Sequence, residues 1–241
     1  MPVEGNGEQK QTNEIGMFTQ LLDAIDIKDK LITADALLTQ RKLADYIVVQ
    51  RAAHYHFTAK GNQPTLQKNI AELFQDRKAP DFTQVSPPDH GRIETRRIWC
   101  SQALNGYVDF PHVAQVFLIE REVFHKKNGK QTLEIAVGLT SQTSSQANPQ
   151  QVLKANRSHW TIENRCHYVI DWNFDEDRSR IRTGFGPENV TRLRRFAVGV
   201  LSLFSSGKTS IAEKMAQLNR NTRLVFDYLR MTENSCRKAA A

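Results

Sequence analysis

The sequence is poor in cysteine, has no long apolar run and contains no glycine-rich phosphate loop. Its three cysteines, Cys100, Cys166 and Cys236, lie far apart without C-x-x-C spacing, which indicates reduced thiols rather than disulfides or a zinc knuckle. No stretch reaches the roughly 18 apolar residues of a membrane span, and the N-terminus lacks the apolar segment of a signal peptide. Gly207-Lys208-Thr209 is not a P-loop, because the first glycine of that motif is missing. These absences predict a cytoplasmic protein that does not enter a membrane.

The remaining composition is that of a folded protein with an uneven charge. Of its 241 residues, 39% are hydrophobic and 24% are charged, which is enough apolar material for a substantial core. The net charge of +7 arises in residues 151–241, which hold 16 Lys/Arg and 9 Asp/Glu, whereas residues 1–150 hold 17 of each. A basic segment of this kind suits a polyanionic partner. A solvated basic helix face would give the same count.

An alternation of helix and strand patterns runs from residue 14 to residue 76. Residues 1–13, rich in Gly, Gln, Asn and Glu, are predicted to be a loose tail. The predicted elements that follow are helix 14–26, strand 30–37, a helix from Thr39, strand 54–59 and a helix from Pro64. This order is typical of an α/β domain. Asp35 lies at the carboxyl end of the first strand, where the sites of such sheets are usually found, although an acid here could equally cap a helix.

Residues 86–145 are predicted to be a separate, antiparallel β-rich insertion. The proline-containing residues 77–90 are interpreted as a linker. Beyond them the apolar residues recur with a period of two, in the stretches 92–99, 113–124 and 131–139. Asn128-Gly129, between the last two stretches, is typical of a type I′ hairpin turn.

The C-terminal part, residues 146–241, is predicted to be helical. One amphipathic helix begins at Gly186-Pro187-Glu188 and carries a stripe of apolar side chains that we expect to face inward. These side chains are Val190, Leu193, Phe196, Ala197, Val200, Leu201 and Phe204. Ser210-Ile211-Ala212-Glu213 has the pattern of a capping box and predicts the start of another helix.

A stripe of ionisable side chains stands out in this part. If residues 159–172 are helical, His159, Glu163, His167 and Asp171 follow one another at intervals of four and line one face. Such a stripe suits a metal-binding or acid/base site. It is more often simply a solvated helix face. A zinc site built from its two histidines and glutamate is disfavoured, because the sequence places no fourth ligand.

Six short motifs follow one another along the chain. They are Thr33-Ala34-Asp35-Ala36, Ala59-Lys60-Gly61-Asn62-Gln63, His90-Gly91-Arg92-Ile93-Glu94-Thr95-Arg96, His159-Trp160-Thr161-Ile162-Glu163-Asn164, Glu176-Asp177-Arg178-Ser179-Arg180-Ile181-Arg182 and Pro187-Glu188-Asn189. In this order they resemble the H-repeat-associated family of bacterial insertion-sequence DDE transposases. The resemblance covers about residues 13–204. It implies an α/β fold with a partial ribonuclease-H-like core in residues 14–85, interrupted by the β insertion and completed by residues 146–241.

The resemblance also implies metal-dependent cleavage and transfer of DNA strands. In this family three carboxylates hold two divalent cations, and hard oxygen ligands suit Mg²⁺ or Mn²⁺. Asp35 matches the second acid and Glu163 the third, so we expect their carboxylates within about 4–7 Å of each other. Contacts to DNA are expected from the basic residues His159, Arg157, Arg165, Arg178, Arg180 and Arg182. The implied partner is the DNA at the ends of the element, and homo-oligomerisation is left open.

The first acid of the family has no match in this sequence. In the family it lies on a strand upstream of the segment that resembles Asn13-Glu14-Ile15, and here Glu4 and Glu8 fit no motif. We therefore expect an N-terminally truncated transposase, from a broken insertion sequence or a split gene, that binds metal weakly and is inactive alone. Two alternatives stay open. Activity could be restored in trans by a polypeptide carrying the missing strands, or the chain is a non-catalytic DNA-binding remnant that interferes with a full-length relative.

Overall fold

A computed structural model describes residues 16–88, 91–162, 168–203 and 209–232. The chain divides into two compact units, Met1–His159 and Trp160–Ala241, and each is described by itself. The elements of the first unit are α1 (16–23), β1 (Leu31–Ala34), α2 (Arg41–Asp45), β2 (His54–Ala59), α3 (Pro64–Leu73), β3 (Phe82–Val85), β4 (Arg92–Ser101), β5 (Gln115–His125), β6 (Gln131–Thr140) and α4 (Pro149–Ile162), whose last residues cross the division. A π-helical turn, Tyr46–Gln50, continues α2.

The second unit is helical in its described residues. It contains a π-helical turn at Val169–Asn173, then α5 (Gly186–Leu203), α6 (Ile211–Arg220) and α7 (Arg223–Tyr228). The predicted capping box is confirmed: Ser210 Oγ accepts a hydrogen bond from the Glu213 amide, and the Glu213 carboxylate accepts one from the Ser210 amide. In the described part of the chain, no helix is both long and apolar enough to cross a membrane.

Six strands form one mixed sheet in the order β1-β2-β6-β5-β4-β3. β1 and β2 run parallel, as the helical connection between them requires, and the other neighbours are antiparallel. The strands predicted in residues 86–145 are present as β4, β5 and β6. They do not form a separate insertion, because β6 pairs with β2 and places Leu139 opposite Phe57. The two sets of strands therefore share one sheet.

Both faces of the central part of the sheet are covered, and side chains alternate between them. On one face, strand residues such as Tyr55, Phe57 and Leu118 join the buried side chains of α1, α2 and α3 in the main core. On the other face, Phe117 and Ile119 pack with Val152 and Leu153 of α4. This layering places α4 on the opposite side of the sheet from α1, α2 and α3.

Two local predictions in the β region need correction. Residues 77–90 are not only a linker, because they contain β3, an edge strand that pairs with β4 through Thr83 and Arg97. The turn between β5 and β6 is not type I′, which needs positive φ at both central residues. Of these two residues, Gly129 has a positive φ, of +65°, and Asn128 does not. The glycine lets the hairpin close with one left-handed residue.

The buried face of α5 is rotated from the predicted one. Val198 and Leu201 are buried, and Val198 packs with Val169 and Ile170 of the same unit. Leu193 and Phe196, predicted to face inward, are 66% and 62% exposed. A helical period identifies an apolar stripe, but which edge of the stripe is covered depends on the neighbouring elements. Phe204 lies outside the described residues.

Candidate active site

Asp35 immediately follows β1, at the carboxyl end of the parallel β1–β2 pair. The residue is exposed, and its Oδ1 accepts a hydrogen bond of 3.3 Å from the Leu38 amide. This bond orients the carboxylate while leaving Oδ2 without a hydrogen bond to any described residue. The predicted position of Asp35 at a strand end is confirmed. Its carboxylate is therefore available to a ligand from solvent.

Hydrogen bonds tie the loop that carries Asp35 to the loop that follows β2. The buried Thr39 hydroxyl lies 2.8 Å from the Thr58 carbonyl oxygen and 3.2 Å from that of Asp35. The Gln63 side-chain amide donates to the Thr39 carbonyl at 3.0 Å, and the Asn62 amide donates to the Ala36 carbonyl. Buried polar groups held in this way fix the backbone around them. The position of Asp35 is thus set by the ends of both parallel strands.

Helix α4 reaches the same end of β1. His159 Nδ1 lies 3.3 Å from Thr33 Oγ1, and Thr33 is two residues before Asp35 in the same strand. Because both residues belong to the first unit, this contact places the end of α4 next to the strand that carries the acid. His159, predicted from its place in the stripe, therefore lies at the Asp35 end of the sheet.

His56 is a buried polar residue that the sequence analysis missed. It is 2% exposed, its ring is stacked on that of Phe117 with centroids 4.5 Å apart, and its Nε2 lies 3.5 Å from Asn156 Oδ1 of α4. The pKa of His56 is lowered to about 4, chiefly by burial; the Asn156 contact opposes this shift and the His159 charge adds to it. The alternation His54-Tyr55-His56-Phe57 showed that His56 shares a face with His54. It did not show that α4 covers that face.

Arg157 contacts the other edge of the sheet. Its Nη1 donates to Gln84 Oε1 of β3 at 2.7 Å, and β3 and β1 are the two edge strands. The structure therefore brings His159 to the Asp35 end of β1 and directs Arg157 towards β3.

The remaining predicted site residues lie elsewhere. Glu163, Arg165 and His167 are outside the described residues, so the expected approach of Asp35 and Glu163 stays a prediction. Three predicted DNA-contacting arginines belong to the second unit and are exposed: Arg178, Arg180 and Arg182. The Arg178 guanidinium lies 3.5 Å from the Asp175 carboxylate and 5.2 Å from the centre of the Trp172 ring.

The Asp35 end of the sheet offers the type of ligand atom that a hard divalent cation prefers, but too few such ligands among the described residues to hold one. A carboxylate oxygen is the ligand that Mg²⁺ and Mn²⁺ prefer, and Asp35 offers one. Within residues 16–88, 91–162, 168–203 and 209–232, no group of three or more His, Cys, Asp and Glu side chains is placed to hold a metal ion. The described residues alone therefore do not form a site with three such ligands.

Comparison with known proteins establishes the family. The family described as "Transposase DDE domain" matches residues 6–192, which is more than half of the chain. The chain belongs to the DDE transposase family. The matched range includes β1 with Asp35, the whole sheet and α4, and it also includes Glu163.

Relatives in Escherichia coli confirm the resemblance to H-repeat-associated transposases. The chain is 28% identical over 226 residues to the "H repeat-associated putative transposase YhhI" of strain K12, with 88% of this chain and 58% of that protein covered. It is 28% identical over 229 residues to the "Putative transposase YncI" of strain O157:H7, with 92% and 58% covered. The chain thus spans little more than half the length of these two relatives.

A solved structure, the piggyBac transposase synaptic complex with hairpin DNA, aligns with 99% of this chain, and the alignment covers 42% of the piggyBac chain. The TM-score is 0.39 and the sequence identity is 14%, values too low to establish a shared fold.

Proposed function

We propose that the chain supplies two of the three acids of a transposase active site, Asp35 and Glu163, for metal-dependent cleavage and transfer of DNA strands. The observation that carries this proposal is the contact between His159 and Thr33. It sets α4 beside the end of β1 that bears Asp35, and Glu163 follows His159 by four positions in the sequence. Membership of the DDE transposase family supports the same reaction.

We also propose that the parallel β1–β2 pair, with its connecting helix, is part of a ribonuclease-H-like core. The acid at the carboxyl end of β1 and the helix that packs at that end support this assignment. In such a core, Asp35 and Glu163 hold Mg²⁺ or Mn²⁺, which supplies charge stabilisation for phosphoryl transfer when bound. His159 is the residue that contacts the DNA phosphate beside these acids in this proposal, and its contact with Thr33, two residues before Asp35, supports that role. Arg157 and Arg165 contact phosphates further along the strand.

The polypeptide of these 241 residues is expected to leave DNA uncut with either Mg²⁺ or Mn²⁺. Two carboxylates then face two dications, and the ligand that the family's first acid would supply has no match in the motifs. Waters can fill coordination positions, but they do not fix metals about 3.5–4 Å apart, and misplacement by about 1 Å can lower the rate about 100-fold. The measurement is strand cleavage on duplexes that carry the ends of the insertion sequence.

Two additions make this assay decisive. The Glu163→Gln variant is the control for background nuclease, and a second polypeptide bearing an upstream strand with an aspartate tests restoration in trans. Metal-dependent cleavage by the unaided chain, absent in Glu163→Gln, would show that another residue replaces the first acid. Cleavage only with the second polypeptide would support a site shared between two chains.

Binding to DNA is expected to persist without cleavage, because the excess positive charge lies in residues 151–241. If six phosphates are neutralised, the affinity should fall about 1,000-fold between about 50 and 200 mM salt, with little dependence on DNA sequence. Titrations of a labelled duplex at several salt concentrations measure this slope. A flat salt dependence would contradict the prediction. Steep binding without cleavage, even after addition of the second polypeptide, would favour a non-catalytic DNA-binding remnant.

A further inference from the structure

The end of the sheet formed by the β5–β6 turn and the start of β4 carries a cluster of cations. We call Arg92, His125, Lys126, Lys127 and Lys130 the basic tip. Arg92 pairs with His125 across β4 and β5, and the three lysines lie in the turn that follows. Arg92 and the three lysines are exposed, and His125 is partly so. No Asp or Glu occurs in residues 91–93 or 124–131.

The backbone that displays the basic tip is held by hydrogen bonds between strands. The His125 amide donates to the Lys130 carbonyl at 2.8 Å, and the Gly129 amide donates to the His125 carbonyl at 2.9 Å. The Lys126 amide donates to the Gly91 carbonyl at 2.9 Å, which joins the turn to the start of β4. The lysine backbones are therefore positioned before any ligand arrives, so only side-chain freedom is lost on binding.

Carboxylates further along the same strands are bound to arginines. The Glu122 carboxylate accepts a hydrogen bond of 2.7 Å from Arg97, and the Glu134 carboxylate accepts one of 2.8 Å from Arg121. Glu94 is engaged in the same way by two arginines, Arg96 and Arg121.

These pairs separate the charges along the hairpin. Acids and arginines neutralise each other in the strand segments next to the basic tip, while the cations of the basic tip form no ion pair with any described residue. The equal numbers of acidic and basic residues in positions 1–150 conceal this local separation, so the first unit has a basic surface that the overall count did not predict.

We propose that the basic tip binds the phosphate backbone of duplex DNA. The proposal rests on the proposed function, since the partner is the DNA on which a transposase acts. Lysine ammonium groups contact phosphates as compact charges without reading the bases. Several exposed cations on a hydrogen-bonded hairpin, whose neighbouring acids Glu94 and Glu122 are bound by arginines, give the electrostatic surface that such binding requires. The basic tip would position the duplex and leave the choice of sequence to other contacts.

The test is the triple variant Lys126→Gln, Lys127→Gln, Lys130→Gln in the 241-residue chain. Its affinity for a duplex of about 30 base pairs is expected to fall at least about tenfold at 0.1 M salt. The slope of log affinity against log salt should become shallower by about 2 to 3, because up to three phosphate contacts are lost. Circular dichroism and thermal unfolding establish that the variant is folded, and exposed turn lysines should change the melting temperature little.

A second triple variant, Lys28→Gln, Lys30→Gln, Lys68→Gln, is the matched control. These lysines are exposed and lie outside both the basic tip and the Asp35 end of the sheet. The net charge changes equally, so a loss of affinity confined to the tip variant supports the proposal. Equal losses in both variants, with wild-type binding intact, would overturn the proposal alone. A wild-type chain that binds no DNA at low salt would overturn both this proposal and the DNA binding on which it rests.

Discussion

Replacing Gly138 with alanine is expected to lower the free energy of unfolding by about 3 kcal/mol. Gly138 lies in β6 between the β2 and β5 strands, and a Cβ at this position would overlap the Phe57 carbonyl oxygen and the Phe117 ring. Neither neighbour can give way cheaply, because one is backbone and the other is a fully buried ring. A close-packed interior does not absorb an added methyl without moving its surroundings.

Urea unfolding followed by circular dichroism measures this loss. Gly61→Ala is the matched control, since a Cβ at Gly61 meets no atom within 4 Å and the glycine does not have positive φ. That substitution should change the stability by less than about 0.5 kcal/mol. If Gly138→Ala were as stable as the control, the close approach of β6 to Phe57 and Phe117 would be incorrect.

Lowering the pH from 7 to 4 is expected to destabilise the first unit by about 3 kcal/mol through His56 alone. Burial lowers the pKa of His56 from 6.5 to about 4 in the folded state. Between these two values the unfolded chain binds a proton that the folded chain excludes, so stability falls as the pH falls. Below about pH 4 both states are protonated and this contribution no longer changes.

The effect is isolated by comparing the wild type with His56→Phe across this pH range. Phenylalanine keeps a ring against Phe117 but cannot titrate, so the variant should lose less stability on acidification. His159, whose charge also acts on His56, is retained in both proteins. Unfolding curves that shift in parallel with pH would show that His56 is not protonated differently in the folded and unfolded states.

Local patterns in the sequence were sufficient to predict those helices and strands whose conformation is determined by their own residues. The apolar run of β1, the position of Pro64 at the start of α3 and the period of two in β4, β5 and β6 were all confirmed. The place of Asp35 after β1 followed from the same information. A resemblance spread over six motifs identified the family, because their order constrains the whole chain rather than one element.

Features that depend on distant partners could not be read from these patterns. β3 lies among residues with proline-rich flanks, and its strand conformation follows from pairing with β4. The burial of His56 follows from α4, which begins more than 90 positions later. The basic tip was not predicted, because in the charge count of residues 1–150 its cations are balanced by acids elsewhere in that segment. In each case the missing information was which surface faces which partner.

The pairing of β2 with β6 also has a consequence for the order in which the chain folds during synthesis. The Thr140 hydroxyl donates to the Tyr55 carbonyl, 85 residues earlier, at 2.7 Å. At about 5–20 residues per second, a ribosome takes about 4–17 s to add that length. During this interval the edge of β2 has no strand beside it, and an open edge can pair with another chain. A nascent chain therefore exposes this edge of β2 to mispairing with another chain until β6 emerges.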